Sequence, residues 1–509
     1  MAAPHDYKHA PLGVDSGSLD VELVGDSKKE TPSRRLFLAL LVCCHSPLLF
    51  GFSLGFTSPA QASMEGDAKG DVAAPPGLTV FTPADFTMYA AVLNIGAVVG
   101  AFAGSSAMDR FGRKGALMLS AVPHLVAWGA TIFISQRLLL QLMRMLTGFA
   151  VGMGSSVAPI YIAEIAPSAL KGTFGTLMQL SVCIGILFAN IAGDYGFVVE
   201  QISGEHFCNW RKLSLWSVAM ALVLAAIAFA PESPKWLAQR GRKLEAQLAL
   251  RMLRNGDTSA EEGRLFEEDD EAPGAKHHHG HSHRLSDYRM SVVVVVGLMV
   301  FQQLSGINAI MMYATDICST AGLENAEAAT LAIMVAQVVL TAITGALVET
   351  AGRRSLMQLA GVLMCAAHFG LAYYMKAQGA GWWAPSWLAL SSLCIFIVGF
   401  GVGMGPIPWI VISEVFPVEV VASASSLATA VMWTCSFIVC MGFRGLEMTI
   451  GSSQVFALFG FFCLLCFAFV TAVVPETKGK TVDEALETLR GAASKAHELE
   501  SKVAVGDGL

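Results

Sequence analysis

Charge is scarce in this sequence. Of 509 residues, 14% are Asp, Glu, Lys or Arg and 54% are hydrophobic; the mean hydropathy is +0.56. Soluble globular chains carry about 25% charged residues, so this balance excludes a water-soluble domain of ordinary kind. The net charge of −7 is spread over loops and tails and gives no sign of a nucleic-acid partner. Eleven cysteines lack the paired spacing of a disulfide framework or a zinc site, and most sit in apolar runs as small packing residues. No Asn-x-Ser/Thr acceptor occurs, so asparagine glycosylation is not expected. Residues 1–35 are polar and lack a cleavable signal sequence, which leaves the first apolar run as the targeting signal.

What is abundant is long apolar sequence. Runs of about 20 residues, enough to span a bilayer, are read near 36–56, 86–107, 115–135, 138–163, 173–195, 213–230, 291–315, 328–348, 355–375, 386–411, 422–442 and 454–474. The expected fold is therefore an all-α membrane protein with twelve transmembrane helices. Lys28, Lys29, Arg34 and Arg35 precede the first run, and Arg110, Arg113, Lys114, Lys171, Arg353 and Arg354 fall on the same side. The positive-inside rule makes that side cytosolic, with both termini inside. Whether the membrane is the plasma membrane or an intracellular one is not encoded in these patterns.

The chain repeats itself. DRFGRK at 109–114 recurs as ETAGRR at 349–354, YIAEIAP at 161–167 as VISEVFP at 411–417, and PESPKW at 231–236 more loosely as PETKGK at 475–480. Two pseudo-symmetric halves of six helices follow, a plan common among transporters. The expected divisions are a disordered cytosolic segment 1–35, a first half 36–231, a cytosolic linker 232–290, a second half 291–475 and a cytosolic helix and tail 476–509. Ser233-Pro234 suits the start of a linker helix, whereas EEDDEAPGAKHHHGHSH at 267–283 reads as disordered. Thr481 and Glu484 have capping-box spacing for a short terminal helix.

Within QQLSGINAIMMY at 302–313, amides stand where unpaired polar groups are costly. On a straight helix Gln303 and Asn308 point about 140° apart; a break at Ser305-Gly306 lets them converge on a water-filled path. Gln179 and Gln337 are further isolated amides, and Trp409 and Trp433 offer flat apolar faces with a polar N–H. An amide donates and accepts without charge, as a sugar hydroxyl does, so a neutral polyol suits this set better than an ion. The bland alternative is that the amides merely join helices.

The charged repeats ask for a different role. Asp109, Arg110 and Arg113, and their twins Glu349, Arg353 and Arg354, can pair with Glu164 and Glu414 at the ends of neighbouring helices. Such a clasp holds the cytosolic side shut in one state and parts in the other; the alternative is a set of solvated loop charges. His277, His278, His279, His281 and His283 form a tract able to bind metal weakly, but the apolar runs hold no matching ligand cluster and a solvated linker explains it. No nucleophile, base and oxyanion arrangement can be placed, so catalysis is not expected and no cofactor is implied.

QQLSGIN, RMLTGFAVG at 144–152, YIAEIAPSALKG at 161–172, PESPKWL at 231–237, GPIPW at 405–409 and PETKGKT at 475–481 resemble the signatures of the sugar porter family of the major facilitator superfamily, over residues 36 to 490. FGFSLGFTSPA at 50–60, QV at 337–338 and Gly401 resemble its branch of intracellular-type facilitative hexose transporters, plant early-dehydration carriers and trehalose transporters. The resemblance implies hexose transport by alternating access, with Gln179, Gln302, Gln303, Asn308, Gln337 and Trp409 contacting sugar and Trp433 and Phe400 shaping the cavity. It implies an exofacial gate at Tyr313 and a cytosolic network of Asp109, Arg110, Arg113, Glu164, Lys171, Glu232, Glu349, Arg353, Arg354 and Glu414.

Departures qualify the transfer. Met432 and Ser436 replace asparagines, so the second half is expected to offer fewer hydrogen bonds. Val421 replaces a cation, which is expected to leave Glu349 or Glu414 without a partner. Lys171 and Lys235 replace arginines and Ser105 replaces a glycine. Thr57 is the position matched to the aspartate of proton-coupled relatives, leaving His45, His124 and His368 as candidate proton carriers. Facilitated diffusion is the expected mode, with proton symport next and a non-transporting sugar sensor third.

Overall fold

The computed structural model describes residues 31–65, 81–194, 198–202, 205–255, 258–270, 284–311, 318, 326–385 and 387–491. Among them, eleven helical segments are long and apolar enough to cross a membrane. One, Asp85–Phe133, is interrupted at Gly112, whose φ of 79° and ψ of 178° lie outside the helical region. That backbone region is open essentially to glycine alone, and it divides the segment into two spans, making twelve.

In chain order the first span is Arg34–Gln61, the second and third lie within Asp85–Phe133, and the fourth is Arg137–Ile165. The fifth is Lys171–Asp194, the sixth Trp210–Phe229, the seventh Leu285–Met311 and the eighth Ala328–Ala351. Arg353–Ala380, Trp387–Val415, Val418–Phe443 and Ser452–Ala472 complete the set. The eighth and ninth are separated by Gly352, with φ of 84°, the counterpart of Gly112.

Apolar side chains gain nothing from leaving lipid, so these helices pack where small residues let backbones approach. A Cβ on Gly96 or Gly100 of the second span would strike the carbonyls of Met145 and Phe149 in the fourth, and one on Gly148 or Gly152 would strike Leu93 and Ala97 in return. Between the halves, the second span packs on the eleventh and the eighth on the fifth, so each half offers equivalent helices to the other.

Both described termini and the linker gather at one end of the bundle, here the terminal end. Thr31–Pro32 pairs antiparallel with Arg254–Asn255 of the linker, and Ser33 caps the first span by accepting from the Leu36 amide. Residues 31–35 are thus ordered, against the expectation, because the linker strand supplies their partner. The linker holds helices Pro234–Gln239, Lys243–Leu253 and Ser259–Asp270. Glu267 to Asp270, expected to be disordered, close the last of these; Leu265 and Phe266 dock it on Trp236, Leu237 and Ala246. Residues 482–491 form a terminal helix, with Thr481 accepting from the Glu484 amide at 3.3 Å. A hairpin, Val199–Ile202 with Glu205–Cys208, lies at the opposite end.

Candidate functional site

The seventh span stops at Ser305 and resumes after Gly306, whose φ is +78°. Gly306 sits one residue past the helix cap, where the left-handed region favours glycine, and its amide donates to Gln303 O at 3.1 Å. The break brings Asn308 beneath Gln303: Asn308 Nδ2 donates to Gln303 Oε1 at 2.6 Å. From there a chain of bonds runs both ways. Gln303 Nε2 donates to Gln302 Oε1 at 3.2 Å, and Gln302 Nε2 donates to Met404 O at 2.9 Å and Gly405 O at 3.2 Å. In the other direction Asn308 Nδ2 donates to Ser436 Oγ at 2.9 Å, whose hydroxyl donates to Asn94 Oδ1 at 3.0 Å.

Met404 O needs an outside donor for a simple reason. Pro408, four residues on, has no N–H to give it, and Phe400–Met404 is a wide π turn closed by Gly405 N on Phe400 O at 2.7 Å. Such turns expose backbone to neighbours. Gln302 therefore binds the tenth span to the seventh.

Gln179 of the fifth span is buried, donates to Cys183 Sγ at 3.5 Å, and lies so near the tenth that a Cβ on Gly405 would sit 3.1 Å from its Cγ and 3.0 Å from the Phe400 ring. Gln337 is buried one turn from Thr341, which faces Cys183 across the two halves at 3.9 Å. Trp409 is buried. Trp433 packs at a tilt of 56° on Phe50 with centroids 4.9 Å apart and donates to Ser155 Oγ at 3.4 Å. Tyr313 lies outside the described residues, as do His277, His278, His279, His281 and His283.

Two members of the chain were not singled out as ligands in the sequence. Asn94 is a lone amide in MYAAVLNIGAVVG, the same signal that marks Gln179. Ser436 carries two bonds where fewer were expected, because a hydroxyl both accepts and donates. Arg144, the first residue of the RMLTGFAVG signature, is buried in the fourth: Nη2 donates to Ser53 O at 2.7 Å, and the guanidinium lies 5.1 Å from the Tyr89 ring. Thr57 stands elsewhere, donating to Leu54 O at 2.9 Å.

At the terminal end each half builds the same cluster. Arg113 donates to Glu164 at 2.8 Å, and Arg353 to Glu414 at 2.8 Å. Ser233 donates to the second oxygen of Glu164, and Thr477 to that of Glu414 at 2.5 Å. Glu232 accepts the amides of Arg113 and Lys114 at 3.0 and 3.2 Å, capping the third span, while Glu476 accepts those of Arg353 and Arg354 at 3.0 and 3.1 Å. Burial pushes the Glu232 carboxyl above its ordinary value, against the pull of those amides. Arg354 itself donates to Thr471 O. Glu476 and Thr477 lie in PETKGK, whose echo of PESPKW is too loose to mark them in the sequence.

These ion pairs stay within each half. Crossing between halves, Gly172 N donates to Glu349 Oε1 at 2.6 Å and Lys171 Nζ to Ser413 O at 3.2 Å; Gln239 of the linker reaches Glu419 at 3.1 Å. Glu349 also takes Arg353 at 3.0 Å. Neither Glu349 nor Glu414 is thus left alone by Val421, contrary to expectation, because Arg353 is shared between them. Asp109 and Arg110 have exposed side chains outside the cluster; Asp109 enters through its carbonyl, which accepts from Arg240. A cavity of about 30 Å³ beside Val421 is lined by Glu164, Lys171, Lys235 and Ser413.

A family model described as "Sugar (and other) transporter" matches residues 38–489. The chain is 34% identical to "Sugar transporter ERD6-like 6" of Arabidopsis thaliana, over 94% of this chain and 95% of that protein. It is also 34% identical to "Solute carrier family 2, facilitated glucose transporter member 8" of Mus musculus, over 92% and 98%. Among solved structures, the proton:xylose symporter XylE bound to 6-bromo-6-deoxy-D-glucose superposes with a TM-score of 0.77 at 25% identity, over 90% of this chain and all of that one.

Proposed function

The chain belongs to the sugar transporter family, a multi-pass carrier and not an enzyme, and on that premise we propose that it moves a hexose down its gradient by alternating access. The chain of amides from Gln302 through Gln303 and Asn308 to Ser436 carries this reading. A sugar hydroxyl, donor and acceptor at once, enters such a chain by exchanging one amide–amide bond for two bonds to itself. Gln179, Gln302, Gln303, Asn308, Gln337 and Trp409 line the hexose site, Trp433 and Phe400 shape it, and Asn94 and Ser436 extend it. Tyr313 belongs to the exofacial gate.

The terminal end is cytosolic in this reading, and its two clusters keep each half rigid while the contacts of Lys171, Gly172 and Glu349 open and close. Uniport is supported by where charge stands. Among the described residues, every Asp and Glu of the spanning helices lies near a helix end, and His124 and His368 are each only 1% exposed, whereas proton coupling needs an ionisable group along the path. Arg144 faces a backbone carbonyl of the first span, that of Ser53.

The test is uptake of labelled D-glucose, D-fructose and trehalose into proteoliposomes, with and without an imposed pH gradient. We expect one hexose to equilibrate whether or not the gradient is present. Gln303→Ala, which removes two neutral hydrogen bonds, should slow that uptake about thirty-fold. Accumulation driven by the pH gradient overturns uniport; a chain that moves neither D-glucose nor D-fructose, whether or not it moves trehalose, overturns the hexose.

A further inference from the structure

The hinge of the seventh span is held from behind by a buried residue of the ninth. Ser305 O belongs to the end of a helix, where carbonyls lose their ladder partners, and it meets His368 Nε2 of the ninth span at 2.7 Å. A carbonyl can only accept, so Nε2 carries the proton and the imidazole is the Nε2–H tautomer. Around this bond stand Phe396, Phe456 and Phe459, with ring centroids 4.9, 6.2 and 5.7 Å from the imidazole. His368 is 1% exposed. Phe459 also closes on the hinge itself, since a Cβ on Gly306 would lie 2.7 Å from its ring.

We propose that His368 is a positioning residue for substrate: by holding Ser305 O it fixes the bend at Gly306 and thereby sets Gln303 and Asn308 within one hydrogen bond of each other. The ninth span, which carries no ligand, is in this way coupled to the binding amides. The bond acts in a dry aromatic cage, where a hydrogen bond is electrostatically stronger than in water. It also explains why a polar ring is placed there at all. Packing alone is met by an apolar side chain, whereas the orphan carbonyl is met only by a donor. The inference rests on the hexose-carrier reading for its substrate and on geometry for its hinge.

Two substitutions separate donor from filler. His368→Leu keeps an apolar group in the cage and loses the donor; His368→Gln keeps an N–H and fits the cage less well. Two readouts apply to the full-length chain: amide hydrogen exchange over 302–311 in detergent, and KM and maximal rate for D-glucose in proteoliposomes. For His368→Leu we expect exchange at 305–310 and KM each to rise about five-fold, the worth of one hydrogen bond, with the melting temperature little changed. His368→Gln should stay within about two-fold of the parent on both. The proposal is overturned if Leu leaves exchange or KM unchanged, or if Gln perturbs them as much as Leu, the result expected of packing alone. Should the parent move no D-glucose, KM is measured for D-fructose; if it moves neither, the substrate reading fails, and the exchange comparison still decides the hinge.

Discussion

The two terminal-end clusters are built alike and joined unalike. Within each half an arginine after a left-handed glycine meets a glutamate from the end of the next span, a hydroxyl takes that glutamate's second oxygen, and a later glutamate caps the helix. Between the halves the symmetry fails. The first half sends Gly172 N–H and Lys171 Nζ to Glu349 and Ser413 O, while the positions facing them in the repeat are Val421, Ala422, Asp109 and Ala163. An aspartate that points to solvent and a valine that cannot donate do not return the contact. Rigidity inside a half and closure between halves are therefore separate properties. The repeat preserved the first and kept one copy of the second.

The most severe way to break this comparison is to remove the arginines. Arg353→Leu strands both Glu414, buried, and Glu349, and should cost about 3–5 kcal/mol. Arg113→Leu strands Glu164 alone and should fall at the lower end of that range, about 3 kcal/mol. Thermal unfolding of the two variants in one detergent checks the order, and equal losses would show that Glu349 adds nothing to its half.

A gentler change tests the joint without removing a charge. A Cβ at Gly172 would strike the Glu349 carboxylate and come within 2.6 Å of Arg353 Nη2. Gly172→Ala should push the halves apart at the terminal end and cost about 1–3 kcal/mol, whereas Ala422→Gly at the mirror position should leave the closure unchanged. Thiol labelling of a cysteine placed at Ser413 reports it, rising in the first variant and not in the second.

The smallest expected effect sharpens the asymmetry most. Glu349→Gln keeps the shape but turns the charged bond to Gly172 N into a neutral one, a loss of about 1 kcal/mol, so labelling at Ser413 should rise. Asp109→Asn, on an exposed side chain, should stay within about 0.5 kcal/mol of the parent. Equal responses would return the clasp to symmetry.

Much of this was legible in the chain. Twelve apolar runs and two repeats predicted the helical bundle, because a bilayer demands length and apolarity that show in single residues. The Ser305-Gly306 break was legible because amide spacing and glycine position agree. What escaped was set by partners distant in sequence. Pro408 orphans a carbonyl that Gln302 then fills, yet the two lie in separate motifs. Arg353 reaches two glutamates at once, so the loss of a cation at Val421 orphaned neither. Asn94 and Arg144 carried the right signal, a polar group in an apolar run, but nothing local says whether such a group meets a ligand, a backbone carbonyl or an aromatic face.

The helix caps also set an order of manufacture. Glu232 lies 119 residues beyond the Arg113 amide it accepts, and Glu476 lies 123 beyond that of Arg353. During synthesis the third span waits roughly ten seconds for its cap, which arrives just after the sixth span has emerged. The first half can then lock before the seventh span begins. Each half thus carries its own cap at its trailing edge, and every residue of the first cluster has been made before the seventh span begins.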